Sequence, residues 1–188
     1  SQAETGTRGL GGALVDALAY VLGFKPAFFF QRIEDEFREE ECNFRRRRVT
    51  PERLVKRLVA QTTLFGMLVR HLQEALDMPT LSLPMLPSSA SLEDAEQAAD
   101  VCREQWGLPV DGPIDGMGRV LERAGIVLTR LSEDAAGVDA FSRFGPVSIV
   151  VLNPLKQSPS RTLLDMAHEL GHGVMHRGLR TGTPETER

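Results

Sequence analysis

The chain has 188 residues, which is enough for one sizeable domain or two small ones. Its hydrophobic content of 41% and charged content of 26% are ordinary for a globular protein, and its net charge of −4 gives no general attraction to nucleic acid or a membrane surface. No apolar run approaches the roughly 18 residues that span a bilayer. The two cysteines, Cys42 and Cys102, match no metal or redox spacing, which predicts reduced thiols and a cytoplasmic protein.

The first third of the chain is predicted to be helical. Residues 13–22 have helical apolar spacing, Gly23 supplies a stop signal, and three phenylalanines at 28–30 are expected to close a small core. Residues 34–41 hold six acidic side chains, and four arginines follow at 45–48. We interpret the two blocks as solvated helix faces that satisfy each other; phosphate contact by the arginines is the alternative, which the acidic block opposes.

A long amphipathic helix is predicted from Pro51 to Asp77, with Thr50 as its cap and Pro51 at its first position. Its apolar positions include Leu54, Leu58, Leu64, Leu68, Leu72 and Leu76. Three prolines between 78 and 90 indicate a linker. Further helices are predicted at 91–106 and 116–124, and strands at 126–128, 139–142 and 147–152.

The segment that follows the last predicted strand carries a histidine-glutamate motif. It reads Asp165-Met-Ala-His168-Glu169-Leu-Gly-His172, so it contains H-E-x-x-H. Ser160 is placed as the cap of a helix that reaches at least Val174. Its buried face is predicted from helical spacing to be formed by Leu163, Leu164, Ala167, Leu170 and Val174.

On a helix, His168 and His172 lie one turn apart on the same face, so both imidazoles can bind one metal ion. Glu169 projects about 100° round the helix and can take the proton of an attacking water. A bare H-E-x-x-H also arises by chance, but three of the four histidines lie within nine residues, which favours a zinc site. His176 lies about 12 Å further along the axis than His168, so a third ligand must come from elsewhere.

The order of these segments resembles the ImmA/IrrE metallopeptidases. The likeness covers roughly 91–176. Its motifs are Gly112-Pro113-Ile114, a short helix, Leu121 to Val127, Asp139-Ala140-Phe141-Ser142, a strand ending at Asn153, and Leu164 to His172. The start of the chain, with Glu4, Gly6 and Arg8 before a helix ending at Gly23, resembles the C-terminal half of an Xre-type helix-turn-helix domain. Bacteria and phages contain proteins that join these two domains.

The resemblance implies an α+β fold in which a helical N-terminal part, with a partial helix-turn-helix and a long helix, precedes a zincin-like domain with a small sheet and the H-E-x-x-H helix. It implies a helix-turn-helix part at 1–33, a helical connector and linker at 34–90, and a metallopeptidase domain at 91–188. The family's glutamate zinc ligand follows this helix in a segment that the chain lacks, so we expect it beyond Arg188, with Glu185 or Glu187 as alternatives.

The leading hypothesis is a zinc metallopeptidase in which His168 and His172 bind Zn²⁺ and Glu169 is the general base. By resemblance, its substrate is a protein such as a transcriptional repressor or an antitoxin. DNA is the expected partner of an intact helix-turn-helix domain, with weak or no binding by this chain, and a homodimer is plausible. The alternative is a non-catalytic transcriptional regulator that uses the peptidase-like domain as a sensor module.

Overall fold

The computed structural model divides the chain into two compact units, Ser1–Glu34 and Asp35–Arg188. The residues that it describes are 9, 11–46, 50–84, 86, 92–130, 138–155 and 158–176. Within them, no helix has the length and apolar character needed to cross a membrane. The combination of helices with a small sheet confirms the predicted α+β class.

The first unit contains helix α1 (Gly12–Leu22) and a 3-10 helix (Pro26–Phe30). Gly23 ends α1 in the left-handed region at φ 72°, which glycine adopts without strain, so the predicted stop signal is confirmed. Phe24 stacks on Phe28 with ring centroids 4.5 Å apart. The predicted Glu4, Gly6 and Arg8 motif lies outside the described residues, and the helix-turn-helix interpretation stays a prediction.

Among the described residues of the second unit there are four α-helices and four strands. In chain order they are β1 (Asn43–Arg46), α2 (Glu52–Ala75), α3 (Leu92–Gln105), α4 (Met117–Arg123), β2 (Val127–Arg130), β3 (Val138–Arg143), β4 (Ile149–Leu152) and α5 (Pro159–Met175). A short 3-10 helix, Glu39–Glu41, precedes β1. The three strands predicted after residue 125 are confirmed, with ends that differ by a few residues.

The strands form one sheet in the order β1-β3-β4-β2. β3 is antiparallel to both β1 and β4, whereas β2 and β4 are parallel. Alternate residues of β4 point to opposite faces, and each face has a core of its own. Ile149 and Val151 join one cluster, and Val150 and Leu152 join the other.

Helix α2 covers one face of this sheet. Val55, Leu58 and Val69 on α2 belong to the same buried cluster as Phe141 and Ile149 of the sheet. Burying each such side chain stabilises the fold by about 1.5–3 kcal/mol. The segment 34–90, which we predicted to be a connector and linker, thus contains β1 and α2, which belong to the second unit. The predicted domain boundaries stay a prediction.

Two local predictions in this region were wrong. The arginine block was expected on a helix face, but Asn43–Arg46 pairs as an edge strand with β3, while Arg47 and Arg48 lie outside the described residues. Helix α2 begins one residue later than expected, with Pro51 at the capping position and its carbonyl accepting from the amide of Leu54. Pro51 lacks an amide hydrogen and is tolerated at a helix start.

A buried ion pair joins the segment before β1 to the end of β3. Arg143 donates from Nη1 to Asp35 Oδ2 at 2.7 Å and from Nη2 to Asp35 Oδ1 at 2.5 Å. Its guanidinium also lies 4.4 Å from the ring centroid of Phe37, which is a cation–π contact, and 3.4 Å from a carboxylate oxygen of Glu41. The Arg143 side chain is only 9% exposed and the Asp35 side chain 14%, so both charges are largely removed from water.

The two thiols are free and buried. Removal from water raises the pKa of Cys42 to about 12 and that of Cys102 to about 11. Because the thiolate is the reactive form, we expect neither thiol to react with DTNB at pH 8 in the folded protein, and both to react after unfolding in guanidinium. Titration of accessible thiols checks this, and a reactive thiol in the native protein would contradict the burial described.

Candidate metal site on helix α5

The candidate site lies on the last helix of the second unit. Helix α5 runs from Pro159 to Met175, with Ser158 at the N-cap position and His176 at the C-cap position. Proline is favourable at the first helical position because its missing amide hydrogen would have no helical partner there. The prediction of Ser160 as the cap was therefore wrong by two residues, since Ser160 lies inside the first turn.

The buried face of α5 differs from the predicted one. Leu170 and Val174 are buried as expected, but Leu163 and Leu164 are 43% and 60% exposed, and Ala167 is also exposed. Compared with the predicted orientation, α5 is rotated about its axis, so that a partly polar face packs against the rest of the second unit. Its buried members are Asp165, Met166, Glu169, Leu170, His172, Gly173 and Val174. Polar groups are costly to bury without partners, so this orientation points to a role for them.

The two histidines of the motif converge. Nε2 of His168 lies 3.1 Å from Nε2 of His172, and the ring centroids are 4.6 Å apart. His172 is buried and His168 is half-buried. Two nitrogen ligands about 2.05 Å from a tetrahedral zinc ion are separated by about 3.3 Å. The pair therefore fits one zinc ion with both Nε2 atoms as ligands.

His176 contacts His172 on the side of its ring away from His168. Its Nδ1 lies 3.2 Å from Nδ1 of His172, and its backbone amide donates to the His172 carbonyl at 3.0 Å. If Nε2 of His172 binds a metal, Nδ1 carries the proton and donates to His176, which fixes the His172 ring. His176 is thus placed to orient a ligand, in agreement with the argument that it lies too far along the helix to share the ion.

Glu169 is fully buried and is held by a residue of the sheet. Ser142, on β3, donates from Oγ to Glu169 Oε2 at 2.6 Å, and neither residue is exposed. From the sequence, Ser142 was predicted to lie on a strand, and no function was predicted for it. The feature of the sequence that could have indicated a role for Ser142 is its polar hydroxyl within a strand of mostly buried residues. Every residue of the strand 138–143 except Asp139 is buried. Ser142 is therefore a positioning residue for the Glu169 carboxylate.

Asp165 completes the polar part of the buried face. It is 3% exposed and lies one turn before Glu169 on the buried face. Among the described residues, no group of three metal-binding side chains is found. The two alternative third ligands, Glu185 and Glu187, lie outside the described residues.

Two glycines of α5 differ in their surroundings, and they provide a test of how the helix packs. A Cβ at Gly173 would lie 2.6 Å from two ring atoms of Phe144 and 2.9 Å from Leu83 Cδ1, whereas a Cβ at Gly171 would meet nothing within 4 Å. We expect Gly173→Ala to destabilise the protein by about 1–3 kcal/mol through overpacking.

Gly171→Ala is the matched control. Alanine there favours the helix, and we expect a gain of about 0.5–1 kcal/mol. Urea unfolding of the two variants measures both changes. Equal stability of the two variants would contradict the packing of α5 described here.

A comparison with protein-family models identifies the region that contains this helix. The model described as the IrrE N-terminal-like domain, which represents a peptidase family, matches residues 121–188. The matched region runs from α4 through β2, β3, β4 and α5. Comparisons with curated proteins and with solved structures gave no match. The part of the chain from 121 to 188 is therefore similar to the IrrE N-terminal-like domain, which supports the resemblance to the ImmA/IrrE metallopeptidases.

Proposed function

We propose that the chain is a zinc-dependent peptidase whose metal is held by His168 and His172 and whose general base is Glu169. The observation that carries this proposal is the 3.1 Å separation of the two Nε2 atoms, together with a buried glutamate between them in sequence. When bound, zinc would polarise a peptide carbonyl and lower the pKa of a water molecule.

The chain's own residues supply the rest of the chemistry. Ser142 holds Oε2 of Glu169, so we assign Oε1 to proton transfer. Glu169 would take a proton from the attacking water and deliver it to the amine that leaves. His176, in contact with Nδ1 of His172, would keep the tautomer in which Nε2 has a lone pair for the metal.

The substrate class comes from the family resemblance. We propose a protein substrate such as a transcriptional repressor or an antitoxin, with the N-terminal unit as part of a DNA-binding regulator. The zincin-like assignment of the second unit is part of the same proposal. A purely regulatory sensor would need the histidine pair but not a general base, so a buried Glu169 that accepts a hydrogen bond from Ser142 favours the enzyme.

Zinc binding by single variants tests the proposed site. We expect His168→Ala and His172→Ala each to lower zinc affinity at least about 10-fold, because each removes an imidazole ligand. His71→Ala is the matched control: the His71 side chain is 81% exposed on α2, and its Nδ1 lies 3.5 Å from a carboxylate oxygen of Glu74. Competitive titration with a chromophoric chelator measures the affinities. Equal affinity of all four proteins would refute the assignment of the ligands.

A further inference from the structure

A cleft lies beside β2, at the end of the sheet. Its volume of about 410 Å³ is within the usual range of roughly 300–1,000 Å³ for binding pockets. Its lining comes from the end of α2 and the segment after it, from α4, and from β2, and it includes Gln73, Met78, Arg119, Arg123, Val127 and Leu128. Because α2 and α4 pack against opposite faces of the sheet, a cleft lined by both helices lies at the sheet edge between them. We refer to it as the β2 cleft.

The backbone of β2 faces this cleft. β2 is at one end of the strand order, and no other strand among the described residues lies beside its outer edge. The amide of Val127 donates to the carbonyl of Ser148 at 2.9 Å, so the backbone groups of Val127 point towards β4. Backbone groups of successive strand residues point to opposite sides, so the N–H and C=O of Leu128 point outwards. Such groups can pair with an added strand.

The chain already places an extended backbone against the start of this edge. The amide of Ser82 donates to the carbonyl of Ala124 at 2.9 Å. A Cβ at Gly125 would clash with the backbone of Thr80, so the segment 80–82 passes close to the residue before Ile126. The edge therefore has room for a main chain beside it, and the β2 cleft continues that edge towards Leu128.

The charges around the β2 cleft indicate what else a ligand carries. Arg119 and Arg123 are exposed and lie one turn apart on α4. Within the described part of the chain, neither guanidinium has an ion-pair or hydrogen-bond partner. Glu122 also lines the cleft, so the three side chains together carry one positive charge. A single carboxylate would neutralise that charge, and a guanidinium can bind a carboxylate through two parallel hydrogen bonds.

We propose that the β2 cleft binds an extended peptide segment of a partner protein. The backbone of the segment pairs with Leu128, and its carboxylate is bound by Arg119 and Arg123. Met78, Val127 and Leu128 supply apolar surface for the side chains of the segment. A small apolar acid would occupy the arginines but would leave the outward backbone groups of Leu128 unpaired, so a peptide fits better. This binding needs no zinc and takes no part in the hydrolysis proposed for α5.

Fluorescence anisotropy with labelled peptides tests the charge requirement on the full chain without zinc. The two probes have blocked ends and alternate threonine and valine, which favour strands, around a central glutamate or glutamine. We expect the glutamate peptide to bind about 10-fold or more tightly than the glutamine peptide. Arg119→Gln combined with Arg123→Gln should abolish this preference. Arg53→Gln is the control, because Arg53 is exposed near the other end of α2 from Gln73, and it should keep the preference.

Three results of this experiment would overturn the proposal. They are the absence of binding by the glutamate peptide, equal binding of the two peptides by the unaltered chain, and a preference that survives in the double variant. A glutamine peptide with a free C-terminus identifies the source of the carboxylate. If it binds as tightly as the glutamate peptide, a chain end is accepted as well as an acidic side chain, and the proposal holds in both cases.

N-methylation of the glutamate peptide tests the backbone pairing. Amides of neighbouring residues in a strand point to opposite sides, so only alternate amides of the bound peptide face β2. We expect a methyl group on one amide to lower affinity about 10-fold and a methyl group on the adjacent amide to have little effect. Equal effects at adjacent positions would overturn strand pairing. Displacement of the peptide by an equal concentration of octanoate would show that a small acid is the ligand, which also overturns the proposal.

Discussion

Replacement of Glu169 by glutamine is expected to lower kcat/KM for peptide hydrolysis by roughly 10²–10⁴-fold, the usual contribution of a general base. Glutamine has nearly the same size and can still accept from the Ser142 hydroxyl, so the helix should stay in place. It has no basic oxygen with which to take a proton. Zinc affinity should stay close to that of the unaltered protein, since Glu169 is not one of the proposed ligands.

The assay for this prediction uses zinc-loaded protein and a library of fluorogenic peptides, with zinc content measured on the same samples. Glu122→Gln is the control, because it makes the same chemical change at an exposed position of α4. Unchanged hydrolysis in Glu169→Gln, with equal zinc, would exclude Glu169 as the base. Loss of hydrolysis together with loss of zinc would show that Glu169 is needed for zinc binding, which would contradict its assignment as a base alone.

The second prediction with a large expected effect concerns the ion pair between Asp35 and Arg143 and the stability of the fold. We expect Asp35→Asn to destabilise the fold by roughly 2–3 kcal/mol at pH 7, because it leaves the buried Arg143 guanidinium without its main counter-charge. Urea unfolding measures the change. Glu36→Gln, at the adjacent exposed position, is the control and should stay within about 0.5 kcal/mol. Equal stability of the two variants would mean that the ion pair does not hold the segment to β3.

The ion pair between Asp35 and Arg143 is also expected to make the free energy of unfolding depend on pH. The hydrogen bonds and charge of Arg143 lower the pKa of Asp35 below its ordinary value. A lowered carboxyl pKa contributes stability that is present above the unfolded-state pKa of about 3.9 and is lost as the pH falls through the folded-state value. The stability difference between the unaltered protein and Asp35→Asn should be constant from pH 7 to 5 and shrink below pH 4. A constant difference down to pH 3 would contradict this.

The helices and most strands were predictable from local patterns. The apolar period identified α2, and the β-branched run at 147–152 identified β4. β1 was missed because Asn43–Arg46 has no apolar alternation; its pairing with β3 depends on a partner about 100 residues away. The buried face of α5 was misplaced because spacing alone cannot tell which stripe of a helix meets the core when that stripe contains Asp165 and Glu169.

Part of the site was also encoded locally. The four-residue spacing of His168 and His172 fixes two side chains on one helical face, and the structure brings their Nε2 atoms together. Ser142 contacts Glu169 across 27 positions in sequence, so its role depends on how α5 lies against β3. No local pattern carries that information. His176 lies four residues after His172, a spacing that allows the two side chains to touch on a helix. The contact itself could be recognised only from the positions of the side chains.

Zinc K-edge X-ray absorption of the zinc-loaded protein tests the central assignment most directly. We predict two imidazole nitrogens in the zinc coordination shell at about 2.0–2.1 Å, and a lower imidazole contribution in both His168→Ala and His172→Ala. His71→Ala should leave the spectrum unchanged. A zinc shell without imidazole, or a spectrum that is the same in all four proteins, would contradict the metal site and the peptidase function that is built on it.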